Sequence, residues 1–80
     1  MIFVYVLYSA KFRRFYVGMS ENTERRFKEH NSGSVKSTKT FIPWKLVHRE
    51  EYETRIEARK REKYLKSAAG RRWRKNNLGL

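Results

Sequence analysis

The chain of 80 residues has no cysteine, and each of its eight acidic residues is a glutamate. Without cysteine there is no disulfide and no thiolate metal site, so an intracellular location fits the composition. Hydrolytic sites that use two metal ions need several clustered carboxylates. Because aspartate is absent and glutamate is sparse, we expect that any metal site in this chain holds a single ion.

Long apolar runs are also missing. The apolar N-terminal segment ends at Tyr8, has no basic residues ahead of it and no small-residue cleavage site, so we expect no signal peptide. No stretch approaches the roughly 20 apolar residues that cross a membrane. Two cores do not fit in this length. We therefore expect one cytoplasmic domain over residues 1–80, with a monomer as the default state.

Positive charge is what the chain has in excess. Twenty lysines and arginines stand against eight glutamates, which gives a formal net charge of +12 and a pI near 10.5. Such a charge density on a small domain favours a polyanionic partner, most often nucleic acid. An anionic membrane surface is the competing partner, but no basic amphipathic helix with a clean apolar face supports it.

Two strands are predicted near the N-terminus. The segments Ile2–Tyr8 and Phe15–Met19 are rich in β-branched and aromatic residues. The link between them, Ala10–Arg14, is short and polar, so the strands should be antiparallel. The first strand is apolar on both of its faces, which is typical of a central strand. One face holds Ile2, Val4, Val6 and Tyr8, and the other holds Phe3, Tyr5 and Leu7.

A helix is predicted directly after the second strand. It should begin at Thr23, with Ser20 or Asn22 as its N-terminal cap. It should end at residue 30 or 31, ahead of Gly33, a usual C-terminal position. Phe27 is its expected anchor in the core.

Four polar or aromatic side chains should converge where this helix meets the strands. Arg26 and His30 share one helix face because they are four residues apart, and the strands bring Tyr5 and Tyr16 towards the same region. Taken one at a time, the tyrosines are core residues and Arg26 is a solvated charge. Their convergence favours a functional site.

The middle of the chain predicts a loop and a third strand. Residues 32–40, which are small, hydroxylated and basic, are typical of a flexible loop that lies along phosphates, and a plain solvated connector is the alternative. Pro43 cannot donate to a sheet ladder, so the third strand should begin after it and run to residue 51 or 52. His48 is expected on the face of Trp44, as a structural histidine rather than a ligand.

A second helix is predicted from Thr54 to residue 67 or 68. Thr54 and Glu57 fit a capping box, and Glu57 can pair with Arg61 four residues later. The C-terminal segment predicts a short basic helix or tail in which Trp73 packs back on the sheet. The element order β-β-α-β-α-(α) gives an α+β fold, a three-stranded antiparallel sheet packed with helices.

Glu62 is the most informative acidic residue. It falls on the same helix stripe as Ala58 and Leu65, which is otherwise apolar. A carboxylate in such a position is costly unless it is paired or bound to a metal. Pairing with Arg59 and Lys66, at i−3 and i+4, is the structural alternative to metal binding.

These residues together resemble the GIY-YIG nuclease domain. The triplets are Phe3–Tyr5, where Phe3 stands in the place of the first glycine, and Tyr16–Gly18, with Arg26 and His30 following in order. The run YVG…ERRFKEHNSG is close to small stand-alone bacterial members of the superfamily. The segment Glu57–Glu62 matches the family pattern E-A-x-x-x-E. The resemblance extends to about residue 77 and leaves residues 78–80 as a tail.

The resemblance implies a function for each of the motif residues. Glu62 would be the ligand of a single divalent cation, Mg²⁺ or Mn²⁺. Arg26 would neutralise phosphate charge through its planar set of donors. Tyr5, Tyr16 and His30 would handle the proton and position the water, and the residues alone do not decide which of them is the general base.

The implied activity is metal-dependent hydrolysis of phosphodiester bonds in nucleic acid, DNA rather than RNA. Full nucleases of this superfamily often have an additional DNA-recognition domain, so we expect low sequence specificity here. The alternatives are a non-catalytic nucleic-acid-binding module and an adaptor that binds an acidic protein. The basic residues expected to bind nucleic acid are Arg13, Arg14, Lys36, Lys39, Arg61, Lys66, Arg71 and Arg72.

Overall fold

A computed structural model describes all residues 1–80 and has the predicted α+β architecture. The strands are β1 (Ile2–Ser9), β2 (Arg14–Ser20) and β3 (Lys45–Tyr52), and the helices are α1 (Thr23–Ser32), α2 (Arg55–Lys66) and α3 (Ala68–Leu78). The sheet is antiparallel with the strand order β2-β1-β3. The predicted element order is confirmed, and the C-terminal segment is a full helix. None of the helices has the length and apolar character needed to span a membrane.

Strand β1 is central because both of its faces are apolar. One face packs against α2, in a cluster formed by Ile2, Val4, Val6, Val17, Ala58 and Leu65. The other face carries the second buried cluster, which consists of Tyr5, Leu7 and Trp44 with Phe27 of α1 packed against it. Both the central position of β1 and the role of Phe27 were predicted correctly.

Strand β3 departs from simple alternation at a bulge. Val6 pairs with His48 and Leu7 pairs with Leu46, so Val47 is an extra residue in β3. The bulge moves His48 to the α2–α3 side of the sheet, where its ring lies 4.8 Å from the ring of Trp73. The prediction that His48 shares a face with Trp44 is therefore wrong, because the inserted residue reverses the alternation. The predicted packing of Trp73 on the sheet is confirmed.

The loop after α1 is fixed to the protein at one buried residue. Thr38 is buried, and its carbonyl accepts a hydrogen bond of 2.9 Å from the indole N–H of Trp44. Asn31 holds the end of the loop because its side chain donates to the Trp44 carbonyl at 2.9 Å and accepts from the Trp44 amide at 2.6 Å. A single 3₁₀ turn, Lys39–Phe41, lies between these anchors. The loop is therefore anchored at Thr38, while most of its other residues, including Lys36 and Lys39, are exposed to solvent.

Side-chain caps set the helix starts. Asn22 accepts a hydrogen bond from the Arg25 amide at the start of α1. Gly33 ends that helix in the left-handed conformation, at φ 83°. Thr54 caps α2, accepting from the Glu57 amide, while the Glu57 carboxylate accepts from the Thr54 hydroxyl at 2.9 Å.

The predicted pairing of Glu57 with Arg61 is wrong. Arg61 instead makes two hydrogen bonds to Glu50 of β3, at 2.8 and 3.0 Å. A bidentate pair of this kind, with both partners largely shielded from water, is stronger than an exposed pair along one helix.

Candidate functional site

Tyr5 and Gly18 face each other across the two paired strands β1 and β2. A Cβ atom on Gly18 would lie 2.6 Å from the Tyr5 hydroxyl oxygen and 3.0 Å from Cε2 of Tyr16. Only glycine leaves this space open. The Tyr5 ring therefore lies over β2, with its centroid 6.3 Å from that of Tyr16.

His30 is fully buried next to both tyrosines. Its Nε2 atom lies 3.0 Å from the Tyr5 hydroxyl oxygen, and its Nδ1 atom lies 2.8 Å from Oγ1 of Thr38. The ring centroids of His30 and Tyr16 are 4.7 Å apart. Each nitrogen of the imidazole therefore has one partner, and the ring orientation is fixed by the strand on one side and the loop on the other.

The hydrogens of this site follow from the available acceptors. The Thr38 hydroxyl donates to the Val35 carbonyl at 3.4 Å, so its oxygen is assigned as acceptor of the His30 Nδ1–H. Nε2 of His30 is then unprotonated and accepts the Tyr5 O–H. The result is one chain of hydrogen bonds from Tyr5 through His30 to Thr38.

Electrostatics keep Tyr5 and His30 neutral near pH 7. Burial, with a further contribution from Tyr16, raises the pKa of Tyr5 to about 12 against the lowering effect of Arg26. Burial also lowers the pKa of His30, and Arg26 adds to this effect while Glu29 opposes it. An unprotonated imidazole beside a protonated phenol agrees with the assigned direction of the hydrogen bond between them.

Arg26 lies at the open edge of the site. Its side chain is 38% exposed and donates a hydrogen bond of 3.0 Å to Glu29 from one Nη atom. Its charge reaches the Tyr5 hydroxyl closely enough to lower the pKa of Tyr5. Most of the guanidinium donors therefore remain available to an anion next to Tyr5.

Glu62 reaches the site from α2. It is buried on the stripe of Ala58 and Leu65, as predicted. Both predicted ion pairs are present but long, at 3.8 Å to Arg59 and 3.4 Å to Lys66. Its negative charge contributes to the raised pKa of Tyr5.

The donor set suits one hard cation bound mainly through water. No group of three or more histidines and carboxylates is present, so an all-protein metal cage is absent. Mg²⁺ needs only one or two carboxylates and keeps several waters. The Glu62 carboxylate, whose ion pairs are weak and whose burial is costly, fits that requirement.

The predicted nucleic-acid residues divide into groups. Four of them line one groove along β2: Arg13, Arg14, Lys66 and Arg71. Three others are exposed outside this groove: Lys36, Lys39 and Arg72. Arg61 is engaged with Glu50 inside the protein, so we leave it out of any nucleic-acid surface.

Thr38 and Glu29 are site residues that the sequence-based prediction missed. Thr38 is a hydroxyl residue in a basic loop, eight positions from His30, and no periodicity connects the two. Glu29 was detectable in principle, because it lies three residues after Arg26 on the same helix face. Gly18 was noted only as part of a motif, whereas the structure gives its physical role.

Comparisons with known proteins identify the family of the chain. A family model described as the GIY-YIG catalytic domain matches residues 1–77. The chain is similar to a UPF0213 protein of Clostridium perfringens, with 42% identity over 67 residues, covering 82% of this chain and 71% of that protein. A UPF0213 protein of Natronomonas pharaonis is 39% identical over 66 residues, covering 81% and 76%.

A solved structure is similar as well. The solution NMR structure of the UPF0213 protein BH0048 from Bacillus halodurans superposes with a TM-score of 0.54, at 30% identity, covering 91% of this chain and 81% of that one. The chain belongs to the GIY-YIG catalytic domain family.

Proposed function

We propose that this chain is a metal-dependent nuclease that hydrolyses phosphodiester bonds in nucleic acid, DNA rather than RNA, with low sequence specificity. The observation that carries the proposal is the hydrogen-bonded pair of Tyr5 and His30, with the partly free Arg26 and the buried Glu62 close enough for their charges to act on the pKa of Tyr5. A structural role explains each residue separately. It does not explain a phenol, an imidazole, a guanidinium and a carboxylate at one place.

Arg26 binds the scissile phosphate in this proposal. Its planar set of N–H donors matches two phosphate oxygens. Glu29 holds the guanidinium in place before substrate arrives, at 3.0 Å from one Nη atom. The bound phosphate therefore meets a donor that is already oriented, which is the arrangement that stabilises developing charge most effectively.

Tyr5 and His30 move the proton. Tyr5, protonated at rest, donates to His30 Nε2. When the phenol oxygen accepts a proton from the attacking water, its own proton passes to His30. Thr38 keeps the imidazole in the tautomer that can receive it. Tyr16 packs on the ring of His30 and limits the access of other water.

Glu62 would hold the cation in this proposal. A single Mg²⁺ or Mn²⁺ bound there would supply charge neutralisation for the phosphate and the leaving oxygen. The protein contributes one carboxylate on α2, on the same stripe as the buried residues Ala58 and Leu65. Arg59 and Lys66 balance this carboxylate when it is not engaged with a metal.

The test is the Glu62→Gln variant, with Glu53→Gln as the matched control. Glu53 is an exposed residue just before α2, so the control removes the same charge outside the site. Cleavage of linear, branched and single-stranded DNA and of RNA is measured with Mg²⁺ and with Mn²⁺. We expect Glu62→Gln to abolish cleavage while it still folds and still binds DNA, and Glu53→Gln to cleave as the wild type does.

Three outcomes contradict the proposal. If Glu62→Gln cleaves at the wild-type rate, Glu62 has only the ion-pairing role of a helix residue. If the wild type binds nucleic acid but cleaves none of these substrates with either metal, the chain is a non-catalytic binding module. If it binds neither DNA nor RNA, the basic surface serves an acidic protein.

A further inference from the structure

A cationic groove runs beside the site. It has a volume of about 530 Å³ and no acidic residue in its lining. Five of its eight lining residues are positively charged: Arg13, Arg14, Lys66, Arg71 and Arg74. The remaining three are consecutive residues of β2, Phe15–Val17. The groove therefore joins the start of β2 and the turn before it to the C-terminal end of α2 and the first two turns of α3.

The groove is separate from the site but shares a wall with it. Arg26, His30 and Glu62 are not among its lining residues. Tyr16 lines the groove and also packs on His30, with ring centroids 4.7 Å apart. Lys66 lines the groove and also contacts Glu62, at 3.4 Å. An anion in the groove would thus lie next to the reacting phosphate without occupying its place.

Arg74 lines this groove and has donors that no group of the chain accepts. Its guanidinium lies over the ring of Phe15, 4.2 Å from the centroid, and one Nη atom donates to the Leu65 carbonyl at 3.1 Å. Its Nε–H is buried with no acceptor, which is unfavourable for a polar group. The arginine is therefore fixed in position while most of its hydrogen-bonding capacity is unsatisfied within the chain.

The charges of the groove repel one another. Burial lowers the pKa of Arg74, and the charge of Arg71 lowers it further. Arg13 and Arg71 have no carboxylate partner within the chain, and Lys66 has only its long contact with Glu62. A bound anion would relieve this repulsion and would provide acceptors for the free donors.

We propose that this groove binds a non-scissile phosphate of the nucleic acid strand, next to the phosphate that Arg26 holds. The proposal rests on the proposed function for the identity of its ligand. Two fixed phosphates in neighbouring places define the path of the strand past Tyr16. The groove thereby sets which bond of a bound strand lies at Tyr5 and His30.

The first experiment tests phosphate binding alone and does not depend on nuclease activity. Inorganic phosphate is titrated into the full chain while the arginine Nε–H signals are followed by NMR. We expect saturable shifts at Arg71 and Arg74, with small shifts at Arg55, which lies at the start of α2 outside the groove. Equal shifts at all arginines would show only general charge screening and would overturn the proposal.

The second experiment tests the strand. Binding of a DNA oligonucleotide is measured in the inactive Glu62→Gln background, so a chain that does not cleave still gives a result. Arg71→Ala should weaken binding about tenfold, the scale of one charge-assisted hydrogen bond. Arg55→Ala removes an exposed arginine, paired only with the exposed Glu21, and serves as the matched control with less than about twofold effect.

The position and source of the phosphate are found with modified strands. Neutral methylphosphonate linkages are placed one at a time along the oligonucleotide, and strands with a 5′-phosphate are compared with strands with a 5′-hydroxyl. We expect that binding of the wild type is weakened when one particular linkage is made neutral or when the 5′-phosphate is removed. The same change should have no further effect on binding by Arg71→Ala. If every position has the same effect in both proteins, the groove holds no defined phosphate and the proposal is wrong.

Discussion

His30 is the most constrained polar residue of the site, because each of its ring nitrogens has a single partner. Tyr5 determines the environment of Nε2, and Thr38 determines that of Nδ1. A neutral histidine can exchange its proton between the two nitrogens, and the hydrogen bond at one of them decides which is protonated. Thr38 therefore contributes to the proposed proton transfer between Tyr5 and His30, although it does not exchange the proton itself.

Thr38→Val tests this role. Valine has nearly the same shape but no hydroxyl, so the buried Nδ1–H of His30 would lose its acceptor. We expect a stability loss of about 1–3 kcal/mol, a mixture of tautomers in ¹⁵N NMR, and slower cleavage. Thr40→Val changes an exposed residue of the same loop and is the control. A variant that keeps one Nδ1–H tautomer and cleaves normally would show that Thr38 does not position His30.

Regular spacing along a helix decided which site residues could be predicted from the sequence. Arg26 and His30 were found because helical periodicity places them on one face, and Glu62 because it interrupts an apolar stripe. Thr38 was missed because its contact with His30 depends on how an irregular loop folds back. That fold is set by Asn31 and Trp44 through hydrogen bonds which no local pattern indicates.

Strand β3 and helix α2 are connected by a polar network around Glu50. Its carboxylate accepts two hydrogen bonds from Arg61, one of 2.6 Å from the Tyr52 hydroxyl, and lies 2.7 Å from Nε2 of His48. Burial alone would raise the pKa of Glu50, but these partners outweigh it and lower the pKa to about 2. The network holds α2, and with it Glu62, against the sheet.

This lowered pKa predicts acid sensitivity. The unfolded chain takes up a proton at Glu50 near pH 4.5 and the folded chain only near pH 2. The stabilisation by ionised Glu50 is therefore complete above pH 4.5 and is lost as the pH falls towards 2. We expect Glu50→Gln to lower the free energy of unfolding by on the order of 2 kcal/mol at pH 7.

Urea denaturation at pH 7, 4.5 and 3 provides the measurement, with Glu51→Gln, an exposed neighbour, as the control. The difference in the free energy of unfolding between the wild type and Glu50→Gln should become smaller as the pH decreases from 4.5 to 3. A gap of constant size over this range would mean that Glu50 does not titrate as its hydrogen bonds require.

At the scale of elements, the sequence predicted the order, the type and the antiparallel arrangement correctly, but it predicted neither the register of β3 nor the partner of Arg61. The strands and helices were visible because their periodicity is local. The bulge in β3 was not, because an extra residue is defined only by the strand opposite to it. The partner of Arg61 was misjudged for the same reason, since Glu50 becomes its neighbour only after α2 packs on β3.

The whole molecule is dominated by its charge. The value of +12 could be counted from the sequence, and a nucleic acid partner followed from it. The groove could not be found in that way, because its cations come from the start of β2 and the turn before it, the end of α2 and the first two turns of α3. They meet only because Gly70 lets α3 turn closely past the end of α2, where a Cβ atom would clash with the Leu65 carbonyl.

Binding to DNA should therefore depend steeply on salt. The five groove cations and Arg26, six in all, would neutralise at most about six phosphates of the DNA backbone, which gives a slope of about −5 for log K against log salt. Affinity should then fall by about a thousandfold between about 50 and 200 mM salt, with little dependence on DNA sequence.

Fluorescence anisotropy with two DNA duplexes of unrelated sequence measures the dependence of the affinity on salt and on DNA sequence. The Glu62→Gln background is used so that cleavage does not interfere. Arg71→Ala should reduce the slope by about one unit, because one phosphate contact is lost. An affinity that is unchanged between low and physiological salt would contradict a phosphate-binding surface. It would mean that the protein binds DNA through its shape and through apolar contacts rather than through its excess charge.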